Sequence, residues 1–145
     1  MKRLVYTSKA RRVMSENDIT KILSVSRINN SLFNVSGMLL YRDGTFLQVL
    51  EGNDVDLSQT YARIRKDRRH YDCRLLMEEA IIQRAFRGWE MAYREHSELL
   101  KRQQLQLLDI AQITTRTNES DLRDNPALYV FLKAFLSSFE RHRVA

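Results

Sequence analysis

The chain has 145 residues, 43% of them hydrophobic and 29% charged, with only 4 Gly and 1 Pro; it is sized for one compact domain with short appendages and little flexible linker. A lone cysteine, Cys73, excludes an intramolecular disulfide and a cysteine-rich zinc site and fits a reducing, cytoplasmic setting, and no stretch approaches the roughly 18 apolar residues of a membrane span. The formal charge of +6 raises the question of a nucleic-acid partner. The basic residues come in short groups interleaved with acids, so a solvated surface is expected instead.

Leu4-Val5-Tyr6-Thr7 is a short apolar and β-branched run that predicts a first strand. Ser15-Glu16-Asn17-Asp18 reads as a helix start, with Ser15 as N-cap and an acid three residues on. Ile19, Ile22, Leu23 and Ser26 follow at helical spacing, and Asn29-Asn30 is read as the stop. Residues 35–41 and 45–51 are apolar segments flanking Arg42-Asp43-Gly44, where the Asp-Gly step signals a tight hairpin. After Gly52, Asp54 is the expected cap of a second helix with Leu57, Tyr61 and Ile64 on one face. Residues 73–82 alternate into a fourth strand and residues 88–93 into a fifth.

Strand, helix, strand, strand, helix, strand is the split βαβ order, so the fold class is α+β, a ferredoxin-like βαββαββ sheet with both helices on one face. The middle strands are apolar at nearly every position, as strands buried on both sides are, so the other face needs a cover. Residues 98–113 have a mixed helical pattern, and Asn125-Pro126 opens a last helix carrying Leu128, Phe131, Leu132, Phe135, Leu136 and Phe139 on one stripe. These C-terminal helices are expected on the free face, or on a second copy of the chain. The division expected is a first domain over 1–94 and a helical cap and output segment over 95–145, with a homodimer or higher homo-oligomer formed through the Phe-rich stripe.

The position richest in chemistry is Gln48. Strand alternation puts it on the face of Phe46 and Leu50, which the helices cover, and a buried primary amide left unpaired costs about 1–3 kcal/mol. In a split βαβ sheet the first and third strands are neighbours, so Tyr6 can meet Gln48. A phenol and an amide can exchange partners without changing net charge. From spacing alone, a satisfied core pair and a ligand-facing pair both remain open. Asn29 and Asn30 are in the same position: a plain helix stop, or the donor–acceptor edge that a flavin or nucleobase ring needs.

Arg3-Leu4-Val5-Tyr6-Thr7-Ser8, Asn29-Asn30, Val35-Ser36-Gly37-Met38-Leu39 and Phe46-Leu47-Gln48-Val49-Leu50-Glu51-Gly52 together resemble the BLUF domains, flavin-based blue-light sensors. The resemblance continues through Tyr61-Ala62-Arg63-Ile64, Asp67-Arg68-Arg69-His70 and Phe86-Arg87-Gly88-Trp89-Glu90-Met91, and is similar in flavour to the modules of bacterial photoactivated adenylyl cyclases. It implies a non-covalent flavin, FAD or else FMN or riboflavin, and a sensor without catalytic or metal-ligating residues. Asn30, with Asn29 beside it, would bond the pyrimidine edge, Gln48 would bridge Tyr6 to the ring, and Ile22 and Ile64 would sandwich it. Arg63 and Asp67 would meet the ribityl and phosphate region, with His70 as a further contact. Light would move an electron and a proton from Tyr6 and back, leaving Gln48 rotated or tautomerised. Trp89 and Met91 would pass the change to the tail and a protein partner; by pattern alone they are ordinary core residues. Asn34 departs from the glycine common at its place, and the tail matches no effector domain. The competing reading is a basic ferredoxin-like RNA-binding module, which would expose stacking aromatics on its free sheet face.

Overall fold

The computed structural model describes residues 1–86, and residues 92–95 as a strand. The element order is β1 (Lys2–Ala10), α1 (Glu16–Leu32), β2 (Ser36–Arg42), β3 (Thr45–Gly52), α2 (Asp54–Lys66), β4 (His70–Ala80) and β5 (Ala92–Glu95). The strands form one sheet in the order β4-β1-β3-β2-β5, so β1 and β3 are central neighbours, as the split βαβ topology requires. By contacts the chain divides into two compact units, Met1–Tyr93 and Arg94–Ala145. The expected tail helices, the Phe-rich stripe and positions 88–91 of the expected fifth strand lie outside the described residues.

Period-two alternation sorts the central strands into two buried faces. Leu4, Tyr6, Leu39, Tyr41, Phe46 and Leu50 pack with Ile19 and Leu23 of α1 and Leu57 of α2. Val5, Met38, Leu40, Leu47 and Val49 alternate with them and are at most 1% exposed. The expected double burial of the middle strands is therefore present. The aromatic platform that an RNA-binding sheet presents to solvent is not there among the described residues.

The far face also carries an ion pair. Arg3 stands opposite Glu51 on β3 and Glu79 on β4. Its Nε and Nη2 donate to Glu51 Oε2 at 3.2 and 2.8 Å, and Nη1 to Glu79 Oε1 at 2.6 Å. Arg3 and Glu51 are both fully buried. The Glu51 carboxylate also accepts the backbone N–H groups of Ala85 at 3.0 Å and Phe86 at 2.8 Å. Its charge is met by four donors, the condition under which a buried carboxylate is tolerated.

Element boundaries differ from expectation where caps decide them. Helix α1 does not stop at Asn29-Asn30 but runs to Leu32, because the terminating residue is Asn34, held at φ 52°. Val35 N–H donates to Asn30 O at 2.8 Å and Asn34 N–H to Ser31 O at 3.4 Å, the two bonds of a Schellman motif. Asn is the residue that tolerates this left-handed position best after glycine, which explains why it stands in glycine's usual place. The cap of α2 is Asn53, one residue before the expected Asp54; its side chain accepts from Asp56 N at 2.9 Å. Strand β4 runs from His70 to Ala80 instead of 73–82, with register shifts against β1 and Asp72 at φ 53° breaking the simple alternation. Strand β5 lies at Ala92–Glu95, later than expected.

The hairpin is as the Asp-Gly step indicates. Arg42 pairs with Thr45, and Asp43 and Gly44 both take positive φ, 47° and 80°, which defines a two-residue type I′ turn. Gly37 has a different reason: a Cβ there would sit 1.9 Å from Val49 O in the adjoining strand. We expect Gly37→Ala to prevent the β2–β3 pairing, read as loss of cooperative urea unfolding. Arg3→Met leaves Glu51 buried without its counter-charge and should cost about 3–5 kcal/mol, measured as a lowered urea midpoint.

Candidate functional site

Tyr6 and Gln48 are Cα partners across β1 and β3. The Tyr6 hydroxyl donates to Gln48 Oε1. They are 3% and 4% exposed, so this bond replaces solvent for both. The register that makes it is fixed on both sides, by Leu4 opposite Leu50 and by Ser8 opposite Phe46.

The pair lines a cavity of about 70 Å³ together with Ile22, Ile64, Asp67 and His70. An adjoining cavity of about 130 Å³ is lined by Asn29, Asn30, Gln48, Arg63, Ile64 and Asp67. Both include Ser26, Gln48, Ile64, Asp67 and Arg69. The structure therefore brings together nine residues expected from the sequence: Tyr6, Ile22, Asn29, Asn30, Gln48, Arg63, Ile64, Asp67 and His70. Trp89 and Met91 lie outside the described residues.

Helical spacing explains the grouping. Ile22, Ser26 and Asn30 fall at i, i+4 and i+8 on α1, and Thr60 and Ile64 at i and i+4 on α2, so one face of each helix turns to the cavity. Ser26, Thr60 and Arg69 line the site in addition to the expected residues. Ser26 and Thr60 are legible as same-face neighbours of expected residues. Arg69 stands in the Asp67-Arg68-Arg69-His70 segment, but no spacing places it in the cavity, because it is set by a loop, where its backbone N–H and Nε donate to Asp67 Oδ1 at 2.9 and 3.0 Å.

His70 is held at both ring nitrogens. Nε2 donates to the Ile64 carbonyl at 2.5 Å and Nδ1 accepts from the Ser8 hydroxyl at 2.7 Å. The ring thus ties β1 to the end of α2 and walls the cavity. The Arg63 guanidinium donates to Thr60 Oγ1 at 3.3 Å and lies 4.6 Å over the Phe33 ring.

Electrostatically the Tyr6 end is a neutral site. Burial pushes the Tyr6 phenol well above the usual tyrosine range, and nearby groups that become negative (Cys73 and Tyr61) or already are (Asp67) push it further. Asp67 is held below the usual carboxylate range by its bond from Arg69. Among the described residues no group of three or more His, Cys, Asp or Glu could hold a metal ion, and no helix is long and apolar enough to cross a membrane. The donor set fits a flat heteroaromatic ring: two isoleucines for its faces, neutral amides that both donate and accept for its edge, and an arginine for a carbonyl.

Residues 1–92 match the BLUF family, sensors of blue-light using FAD, and the chain belongs to it. It is 36% identical over 83 residues to the photoactivated adenylate cyclase subunit beta of Euglena longa, a match covering 57% of this chain and 10% of that protein. It is 39% identical over 69 residues to the alpha subunit of Euglena gracilis, covering 48% and 7%. The chain thus spans about a tenth of those relatives. Among solved structures, the dark state of BlrB, a BLUF protein, superposes with a TM-score of 0.68 at 26% identity, covering 92% of this chain and 95% of that one. A bacterial light-regulated adenylyl cyclase gives 0.65 at 30%, covering 92% and 36%.

A raised phenol makes a pH prediction. The stabilisation from a protonated Tyr6 is complete below the free tyrosine value of about 10 and is lost as pH rises through the higher folded value. In an alkaline titration followed by phenolate absorbance, we expect exposed tyrosines to ionise first and the Tyr6 step to come late, together with unfolding. Tyr6→Phe should remove one late-ionising phenol.

Proposed function

We propose that this chain works as a light-operated hydrogen-bond switch, with Tyr6 and Gln48 as its moving parts and a flavin as its antenna. The observation that carries the reading is the buried Tyr6–Gln48 bond, at the wall of a cavity flanked by Ile22 and Ile64. A bound flavin supplies the blue-light absorption and a temporary acceptor for one electron and one proton. Every other step belongs to the chain.

Tyr6 gives up its hydroxyl hydrogen through the Gln48 amide and recovers it, so no net oxidation remains. Gln48 starts with its oxygen accepting from Tyr6; rotated or tautomerised, it would present a donor to the ring carbonyl of a bound flavin. Asn30 and Asn29 would hold the pyrimidine edge, and Arg63 and Asp67 would meet the ribityl and phosphate region. His70 keeps the wall in place. The ring contacts do not depend on the group attached beyond the ribityl chain, so FAD, FMN and riboflavin all fit the inner site.

The change would leave by the sheet. Strand β5 joins the edge formed by β2, and Trp89 and Met91 immediately precede it. Residues 95–145 then act as the output segment, toward a second copy through the stripe of Phe131, Phe135 and Phe139, or toward a partner protein in the cytoplasm. Relatives in which such a module is a small part of a cyclase subunit support a sensor that acts on something else.

The test is optical. Protein purified with flavin should show an absorption spectrum that shifts reversibly to the red under blue light. Gln48→Leu and Tyr6→Phe should keep flavin bound and lose the shift. A normal shift in Gln48→Leu would exclude the amide as the switch.

A further inference from the structure

We propose that the outward stripe of helix α1 is a docking seam for a partner protein, and that the partner presents an amphipathic helix with acidic flanks. This goes beyond the switch proposed above and does not depend on a bound flavin, because it concerns a surface that the switch does not use.

Val25, Ile28 and Leu32 are 50%, 64% and 74% exposed, large apolar side chains that the fold leaves in water. Their spacing of three and four residues stacks them in one line along α1, and Lys21 continues the line one turn toward the N-terminus. That line runs opposite the buried face of the helix, which Ile19, Leu23 and Asn30 define. Val25 also borders the cavity lined by Asn29 and Asn30, whereas Ile28 and Leu32 border neither ring-side cavity. Single apolar residues are ordinary on a protein surface, but a row of them at helical period is a contact surface waiting for a partner.

Shape selects a helix as the occupant. A stripe at alternating three- and four-residue spacing is a coiled-coil seam, narrower than the apolar face with which a helix enters a lipid surface. Ser24 and Ser31 flank Ile28 at i−4 and i+3 and are small enough for another helix to come close. The Ser24 hydroxyl is turned back onto its own helix, donating to Thr20 O at 2.9 Å. From Lys21 to Leu32 the seam is about 17 Å long, room for three turns of a partner. Charge selects the sign. Between Asp18 and Asp43 the chain has no acidic residue, while Lys21 and Arg27 on α1 are basic and exposed. Two copies meeting on this seam would bring like charges together, and the net charge of +6 adds to the repulsion. Acidic residues beside the apolar positions of a partner helix are attracted instead.

The probe is a synthetic heptad-repeat peptide with Leu at a and d and Glu at e and g, whose own Glu–Glu repulsion keeps it from self-pairing, together with a twin carrying Lys in place of Glu. Binding to the full-length protein is read from the fluorescence anisotropy of dye-labelled peptide. The acidic peptide should bind about ten-fold more tightly than its twin at low salt, a few-fold from each of two exposed ion pairs, and high salt should shrink the difference. Ile28→Glu should abolish binding and leave the urea midpoint unchanged, because Ile28 is mostly in water. No binding of the acidic peptide, equal binding of the two, or binding that survives Ile28→Glu overturns the proposal. Without peptide binding, other measurements assign the seam to another occupant. Co-sedimentation with phosphatidylserine vesicles that Ile28→Glu abolishes makes it a lipid surface. A dimer in sedimentation velocity that Ile28→Glu dissolves makes it a contact between copies. A urea midpoint that falls in Ile28→Glu makes it a seat for the chain's own residues 95–145.

Discussion

The fold is organised around one uncharged bond, from Tyr6 to Gln48, made across two central strands and shut away from water. An unpaired phenol or amide there costs more than most single contacts return, so the register of β1 on β3 cannot slip by a residue without exposing the penalty. The type I′ turn at Asp43 and Gly44 performs the same service for β2 on β3. Two local constraints thus deliver a phenol and an amide to one spot, and the helices bring Ile22, Asn30 and Ile64 to it.

The same strands carry a bond of opposite character on their other face. Three residues along β3 from Gln48, Glu51 holds Arg3 and the N–H groups of Ala85 and Phe86. Nearby, Arg84 donates to the carbonyls of Asn34 and Glu51 at 2.7 and 3.1 Å. The connection after β4 is therefore fastened to the sheet by charge-assisted bonds on the face away from Tyr6 and Gln48. Under the proposed reading, a neutral bond on one face and a fixed ionic clasp on the other would let a change at Gln48 bear on a rigid strand without breaking it.

Much of this is legible in the residues. The Asp-Gly hairpin, the Ser15 cap and the split βαβ order follow from local rules, and the Tyr6–Gln48 meeting follows from topology once the strands are placed. The end of α1 is not, because Asn29-Asn30 looks like a stop, whereas the backbone stops where Asn34 can take a left-handed conformation. Asn29 and Asn30 line the cavity instead. The bounds of β4 are hidden because bulges against β1 spoil its alternation. A cation-lined cavity past Arg69 is not legible, because a strand end, helix α1 and the loop after α2 assemble it from positions 11, 12, 21, 68 and 69, and no sequence period links those numbers.

Charge divides the surroundings of the candidate site into two regimes. Around Tyr6 the medium is dry and neutral, and ionisation of the phenol is strongly opposed. In the switch proposed above, an electron leaving Tyr6 by itself would strand a charge in that medium, whereas a proton moving with it along the bond to Gln48 would not. Past Arg69 the surroundings are wet and cationic, lined by Arg11, Arg12, Lys21 and Arg68. Salt screens those exposed charges and leaves the buried Tyr6–Gln48 bond nearly untouched, so the exchange proposed for that bond is confined to the dry end.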